Sequence, residues 1–471
     1  MRKCFEFRAA VAFAGRAVLA LLLSSAAGGT AFAQERASDP ATAADPAAAP
    51  GDLATRVVPV EALLADPARL AEWVSSRQPD VLAAGARVAQ ADAAVGQSRV
   101  IPNPNLQGGV GGLTLGSRNP QDPLNSSYGD TINWSIGLSE TIELGKRGPR
   151  AHAAELRREA ARAGARGVLT DRLADARDAM ARVVYLTERQ RVFAERLRSA
   201  RNVAALERVR LQHGDISGID QDRLELDVTA VVRAAADNDA DLEAARAECA
   251  ALLVGVCEVG GATMTSIDGA APVQDSYPGL ESIVRARPDV QEARLTSSAA
   301  KTDAVLYRRQ AIPDPTVGLQ YTHDYFTFAG NEPNTLGATV SIPLPVFDHG
   351  QHLARQAEGV AAEYGYAARA LETHALVGAR SLLARRNVLE QKLLTLTTDA
   401  IPRADSVLKS SDEAYHRGQL SLTDLLLVRR EHASLLLDAL DTRYDLFTVR
   451  NTLYRTLSLG VPQAPQAKSE R

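Results

Sequence analysis

Two stretches of the chain alternate apolar and polar residues with a period of two. In 131–144, Ile132, Trp134, Ile136, Leu138, Ile142 and Leu144 fall on one side, and Asn133, Ser135, Ser139 and Glu143 on the other. That is the pattern of strands with unlike faces. Residues 335–346 repeat it, with Leu336, Ala338, Val340, Ile342, Leu344 and Val346 against Thr335, Gly337, Thr339 and Ser341. Val317, Leu319, Tyr321 and Tyr325 alternate similarly with Gly318, Gln320, Thr322 and Asp324, and a Gly-rich, weaker strand is predicted near 105–115. Elsewhere the period is helical. From His152 to His213 there is no proline, and Leu169, Leu173, Ala176, Met180, Val183, Ala194 and Leu197 recur at coiled-coil intervals. Some 60 helical residues make a rod about 90 Å long, and 351–401 reads as similarly long. A compact core cannot hold such elements.

The elements occur in the same order twice. Pro79-Asp80-Val81 matches Pro288-Asp289-Val290, and Ile101-Pro102-Asn103-Pro104 matches Ile312-Pro313-Asp314-Pro315. Residues 139–148 then lie over 341–350, and the turns after the long helices share Gly214/Gly418, Ser217/Ser421 and Asp220/Asp424 at one offset of 204. In each turn the glycine is expected to end one helix in the left-handed conformation, with Asp220 or Ser421 capping the next. The chain thus reads as a duplication. A signal peptide (1–33) and a flexible Ala/Pro-rich linker (34–57) precede a first repeat (58–260). An inter-repeat linker (261–279), a second repeat (280–460) and a disordered tail (461–471) follow.

The signal rests on Arg2, Lys3, Arg8 and Arg16 before an apolar run that ends in Ala31-Phe32-Ala33. Its removal takes four basic residues and Glu6, moving the formal charge from −4 to −7. A mildly acidic protein of this kind is no partner for nucleic acid. Export leaves Cys249 and Cys257. One continuous helix would hold them about 12 Å apart, too far to bond. A disulfide needs the helix to stop near Gly255; a pair of free thiols is the other reading, and both stay open. No later stretch approaches ~18 consecutive apolar residues, so no transmembrane helix is predicted. The eight histidines lack the spacing of a structural zinc site, and no nucleophile–base, phosphate-loop or zinc-hydrolase pattern appears. The expectation is no cofactor, no resident metal and no enzyme.

Amphipathic strands of about ten residues suit a membrane band about 25 Å tall. A bilayer tolerates sheets only as closed barrels, and four strands are too few to close one. Two copies would supply eight strands and three would supply twelve. Trp134, Tyr321 and Tyr325 fit the aromatic girdles at a barrel's rims.

The export signal, the duplicated layout, the two Ile-Pro-Asx-Pro elements, Glu140–Arg150 and the paired turns together resemble the TolC-type outer-membrane efflux proteins. The resemblance spans Val58 to Gly460. It implies a mainly α protein with a small β part. In that architecture a homotrimer shares a twelve-stranded barrel in outer-membrane lipid, continued by a periplasmic α-helical barrel. It also implies the exit duct of a tripartite pump, with a periplasmic adaptor and an inner-membrane RND-type transporter as partners. Residues 341–351 are similar to the Ile-Pro-Leu-Pro-Leu-Phe-Asp-Arg-Asn-Gln element of the CzcC-like branch, whose pumps export cobalt, zinc and cadmium. Asp348 and Gln351 match, whereas His349 and Gly350 depart. By the same resemblance, His213, Gly214, Ser217, Asp220, Arg417, Gly418 and Ser421 form adaptor-docking tips, and Asp424 is a periplasmic gate residue. A second gating aspartate is not expected, because Leu427 stands at its place. Rival readings are a channel for drug efflux or type I protein secretion, and a purely structural periplasmic coiled-coil protein.

Overall fold

A computed structural model describes residues 56–112, 133–214, 216–271, 273–274, 276–324 and 332–459. The expected signal, nearly all of the first linker, Ile132, Tyr325 and the tail lie outside those residues. Val57, counted with the flexible linker from sequence, instead opens a short strand, β1 (Val57–Pro59).

Three helices follow: α1 (Val60–Ala65), α2 (Pro67–Arg77) and α3 (Pro79–Ser98). After strands β2 (Asn105–Gly111) and β3 (Asn133–Thr141), helix α4 runs from Arg147 to His213, and α5 returns from Gly218 to Leu253. Strand β4 (Val256–Glu258) closes the first half. The second half supplies α6 (Leu280–Arg285), α7 (Pro288–Arg308), β5 (Thr316–His323) and β6 (Asn334–Ser341). It ends with α8 (Gln351–Thr395), α9 (Ile401–His416) and α10 (Leu422–Thr456).

Helix α4 has 67 residues, about 100 Å at 1.5 Å per residue. Its counterpart is not one regular helix. Leu396–Ala400 forms a π-turn between α8 and α9. Pro402 lies just beyond and has no N–H to close the α-ladder onto that turn, which accounts for the local widening.

Buried residues spaced by sevens explain how the rods pack. Ala354, Ala361, Ala368 and Ala375 are buried along α8, as are Leu224, Val231, Asn238 and Ala245 along α5. A strict seven-residue stripe keeps one seam facing a neighbour only if the helices supercoil left-handedly. Alanine at the seam lets helix axes approach closely. Helices α3, α4, α7 and α8 contact one another in that order, α4 pairs with α5, and α10 packs on α4, α8 and α9.

The bulky core lies around the middle of α4. Leu70, Val74, Met180, Val183, Leu242 and Phe447 are buried there with β1 and the first helices. Here the cysteine question is answered. Helix α5 stops at Leu253, Val254 is left-handed (φ 54°), and the chain turns at Gly255 into β4, which pairs in parallel with β1. The turn brings the Cα atoms of Cys249 and Cys257 to 6.2 Å, and they form a disulfide. Trp73 Nε1 donates to the Leu253 carbonyl at 2.9 Å, covering the helix end.

The remaining four strands form one antiparallel sheet ordered β2-β3-β5-β6. The central β3–β5 pairing joins the two repeats, with Leu138 opposite Leu319 and Ile136 opposite Tyr321.

Candidate functional site

The register sorts the sheet into two chemically distinct faces. One row runs Leu106–Leu138–Leu319–Ala338 and the next Gly108–Ile136–Tyr321–Leu336. The alternate rows are Gln107–Gly137–Gln320–Gly337 and Gly109–Ser135–Thr322–Thr335. The second face is small and polar, and its described positions carry no charge. Burial is inverted relative to a soluble sheet. Trp134, Ile136 and Leu138 are exposed, while the intervening Ser135, Gly137 and Ser139 are half-buried or buried. Nine large apolar side chains of the strands stand exposed, from Leu106 to Val340. At about 1 kcal/mol for each half-bared side chain, wetting that face costs on the order of 10 kcal/mol. Trp134 and Tyr321 sit with ring centroids 5.3 Å apart on the same face. Among the described residues, the outer edges of β2 and β6 have no partner strand.

At the opposite end of the long helices, the paired turns share one geometry. Gly214 (φ 79°) and Gly418 (φ 71°) are left-handed, and an added Cβ would meet nothing at either. Glycine is therefore selected by the backbone angle rather than by crowding. Ser217 and Ser421 are the caps, each accepting from the N–H three residues on, at 3.2 and 3.1 Å. This corrects the expectation that Asp220 caps α5. Ser217 is the extended residue at the boundary, so its Oγ, not the Asp220 carboxylate, reaches the free N–H. Asp220 and Asp424 instead accept from the serine hydroxyls at 2.8 and 2.6 Å.

The copies differ in how the aspartate is neutralised. Asp220 has Arg223 at 3.6 Å. The residue equivalent to Arg223 is Leu427, which is 63% exposed, and among the described residues no cation pairs with Asp424. His213, Gly214, Ser217, Arg417, Gly418 and Ser421 are likewise exposed, and Asp220 is half-buried. Arg417 leans back on Glu413 at 3.6 Å.

Sequence reading missed the bonds between the two hairpins. Glu207 is fully buried and pairs with Arg210, whose guanidinium also reaches the Tyr415 hydroxyl at 3.1 Å. Burial, then the Glu207 carboxylate, pushes the Tyr415 phenol up to about 12. Arg429 bridges Ser199 at 3.0 Å and Asp412 at 2.8 Å, and Arg430 meets Asp227 at 3.2 Å. Between these bridges a cavity of about 510 Å³ separates the hairpins, lined by Val192, Leu224, Leu408 and Leu436 among others. Around this cavity, discrete polar links join the hairpins in addition to the packing of α10 on α4. The one available signal was a glutamate seven residues before Gly214, on an otherwise apolar stripe.

Among the described residues, no group of three His, Cys, Asp or Glu side chains is placed to hold a metal ion, and no helix is long and apolar enough to cross a membrane.

The family model described as outer membrane efflux protein matches residues 72–255 and 280–458. The cobalt-zinc-cadmium resistance protein CzcC of Cupriavidus metallidurans is 28% identical over 350 residues, covering 71% of this chain and 76% of that protein. Among solved structures, CusC matches with a TM-score of 0.69 at 17% identity, over 84% of this chain and 91% of that one. The outer-membrane channel OprN matches with 0.69 at 18% identity, over 87% and 94%. The open-state MtrE outer membrane channel of Neisseria gonorrhoeae matches with 0.68 at 16%, over 87% and 91%.

Proposed function

The chain belongs to the outer membrane efflux protein family, and on that premise we propose that three copies form the exit duct of a tripartite pump for divalent heavy-metal cations. The chain is an outer-membrane efflux channel protein and not an enzyme. The observation that carries the proposal is the sheet. One bare face is apolar through its middle rows, with Glu140 at one end and His323 and Asn334 at the other; the other face is polar and, among the described residues, uncharged, and neither outer edge has a partner strand among those residues. Strands β2 and β6 run antiparallel to each other across the sheet, so β6 of one copy can pair with β2 of the next. Three copies then give twelve strands and leave no edge. The apolar face meets lipid, and the polar face lines the pore. The layer α3-α4-α7-α8 also has two open flanks, and three such layers extend the same tube into the periplasm, where the signal sequence delivers the chain.

The tips at Gly214 and Gly418 lie at the far ends of the rods. They are the natural contact for a periplasmic adaptor, which links the duct to an inner-membrane RND-type transporter. Two features support metal cations as cargo. The curated relative is named for cobalt, zinc and cadmium resistance, and Asp424 leaves an unpaired carboxylate at each second tip, suited to attracting cations at a constriction.

Deletion of the gene, followed by tolerance tests with zinc, cobalt, cadmium, nickel, copper and common antibiotics, tests the substrate. Loss of metal tolerance restored by the wild-type gene is expected. Unchanged metal tolerance with increased drug sensitivity would replace the metal assignment by drug export. The absence of a heat-sensitive trimer from purified outer membranes would remove the duct itself.

A further inference from the structure

The apolar face does not end with the sheet. Beyond the last rung of β6, Ile342, Leu344 and Val346 keep the parity of Leu336, Ala338 and Val340, and Phe347 follows. They are 53%, 77%, 69% and 92% exposed. The backbone here is neither strand nor helix. Pro343 and Pro345 carry no N–H, and the Val346 N–H is bonded to the Leu344 carbonyl at 2.9 Å. Half of this six-residue segment therefore has no free donor, which lowers the cost of placing irregular backbone where water is scarce.

The same level is apolar on the central strands. Ile142 and Leu144 follow β3, and Ile312 precedes β5, all more than 40% exposed. Neighbouring copies meet along β2 and β6, so they do not reach these central positions. One step further toward the helices the chemistry switches to charged side chains, three of the basic ones paired with carboxylates. Lys146 pairs with Asp314 at 2.6 Å, Arg150 with Glu143 and Arg308 with Glu358. Arg309 donates to the Gly145 carbonyl, and Arg147 is exposed with no ion pair among the described residues.

An apolar layer with basic side chains two to three residues beyond Leu144 and three residues before Ile312 matches a leaflet's acyl boundary and its phosphates. We propose that Ile342–Phe347 is an interfacial anchor, seated with Ile142, Leu144 and Ile312 in the phospholipid of the periplasmic leaflet. Arg147 and Arg309 then lie at the height of the headgroup phosphates. The anchor extends the lipid-facing belt below the hydrogen-bonded barrel, in a segment whose first-repeat counterpart has Gly145 where Phe347 stands. This inference rests on the outer-membrane reading of the sheet.

Tryptophan quenching by brominated lipid tests both separately. The full protein is reconstituted in nanodiscs of phosphatidylcholine brominated either near the headgroup end or near the chain terminus. Wild type reports through Trp134 on the sheet face, with Trp73 in the periplasmic core as a constant background. A second protein carries Phe347→Trp and Trp134→Phe. Position 347 is expected to lose emission to bromine, more strongly from the headgroup end. Quenching of Trp134 with none at position 347 would overturn the anchor while leaving the barrel intact; a blue-shifted emission there would assign the segment to a neighbouring copy. Absence of quenching at Trp134 would overturn the barrel reading, and the anchor with it.

Discussion

Adjacent substitutions on β3 should have opposite fates. Ile136 and Ser135 are neighbours, yet the register puts Ile136 in the row with Tyr321 and Leu336, and Ser135 in the row with Thr322 and Thr335. The nine residues of β3 rise about 30 Å, or about 23 Å along the membrane normal at a 40° tilt. Ile136 is fourth of the nine and lies well within the apolar band. Arginine on the lipid face costs about 2–4 kcal/mol near the midplane and less toward the interface. With the lost isoleucine contacts, Ile136→Arg should cost about 3 kcal/mol per copy, or roughly 100-fold in the insertion equilibrium. Ser135→Arg faces water on an uncharged wall and should cost little. The assay is the fraction of heat-modifiable trimer in purified outer membranes, with refolding from urea into lipid vesicles as the equilibrium measure. Normal assembly of Ile136→Arg alongside failure of Ser135→Arg would reverse the assigned faces. Normal assembly of both would take the sheet out of the bilayer.

Other consequences can be checked independently. Burial raises the Asp178 carboxyl from its usual value to about 6, and the Oδ1 atoms of both Asp178 and Asn451 lack donors. A raised acid stabilises the fold below its unfolded pKa, and that contribution is lost as pH climbs from about 4 to about 6. Asp178→Asn should therefore raise thermal stability at pH 7.5, by about 2 kcal/mol, and flatten the profile between pH 4 and 6; a lower melting temperature at pH 7.5 would contradict this. Leu427→Arg recreates beside Asp424 the pairing that Arg223 gives Asp220. Cation preference in planar bilayers, read as a reversal potential, should fall roughly twofold, and an unchanged preference would remove Asp424 from the gate. Replacing Cys249 and Cys257 by serine opens a short loop and should cost about 2–3 kcal/mol, measured by denaturation with and without reductant. Equal stability of variant and wild type under oxidising conditions would make the disulfide dispensable.

Much of the architecture is legible along the chain because its rules are local. The unlike faces of β3 and β6 follow from alternation alone. The α4 rod follows from an unbroken 3.5-residue spacing, and the tips from glycines that only a left-handed backbone requires. The duplication is equally visible, since both copies keep the same punctuation. Irregularity was less legible. The π-turn before Pro402 and the strand at Val57 depend on neighbours that no period describes.

What the sequence determined by itself was the kind of the main strands and rods, the face each strand presents and the order of the two repeats, because side-chain periodicity and backbone angles act over a few residues. Only the tertiary structure decided which surfaces meet. It stopped α5 at Val254 and brought Cys249 to Cys257. It paired β3 with β5 across some 180 residues of chain, and joined Arg210 to Tyr415 across 205. Such contacts depend on distances between distant segments, and packing of the whole chain, not local spacing, sets those distances.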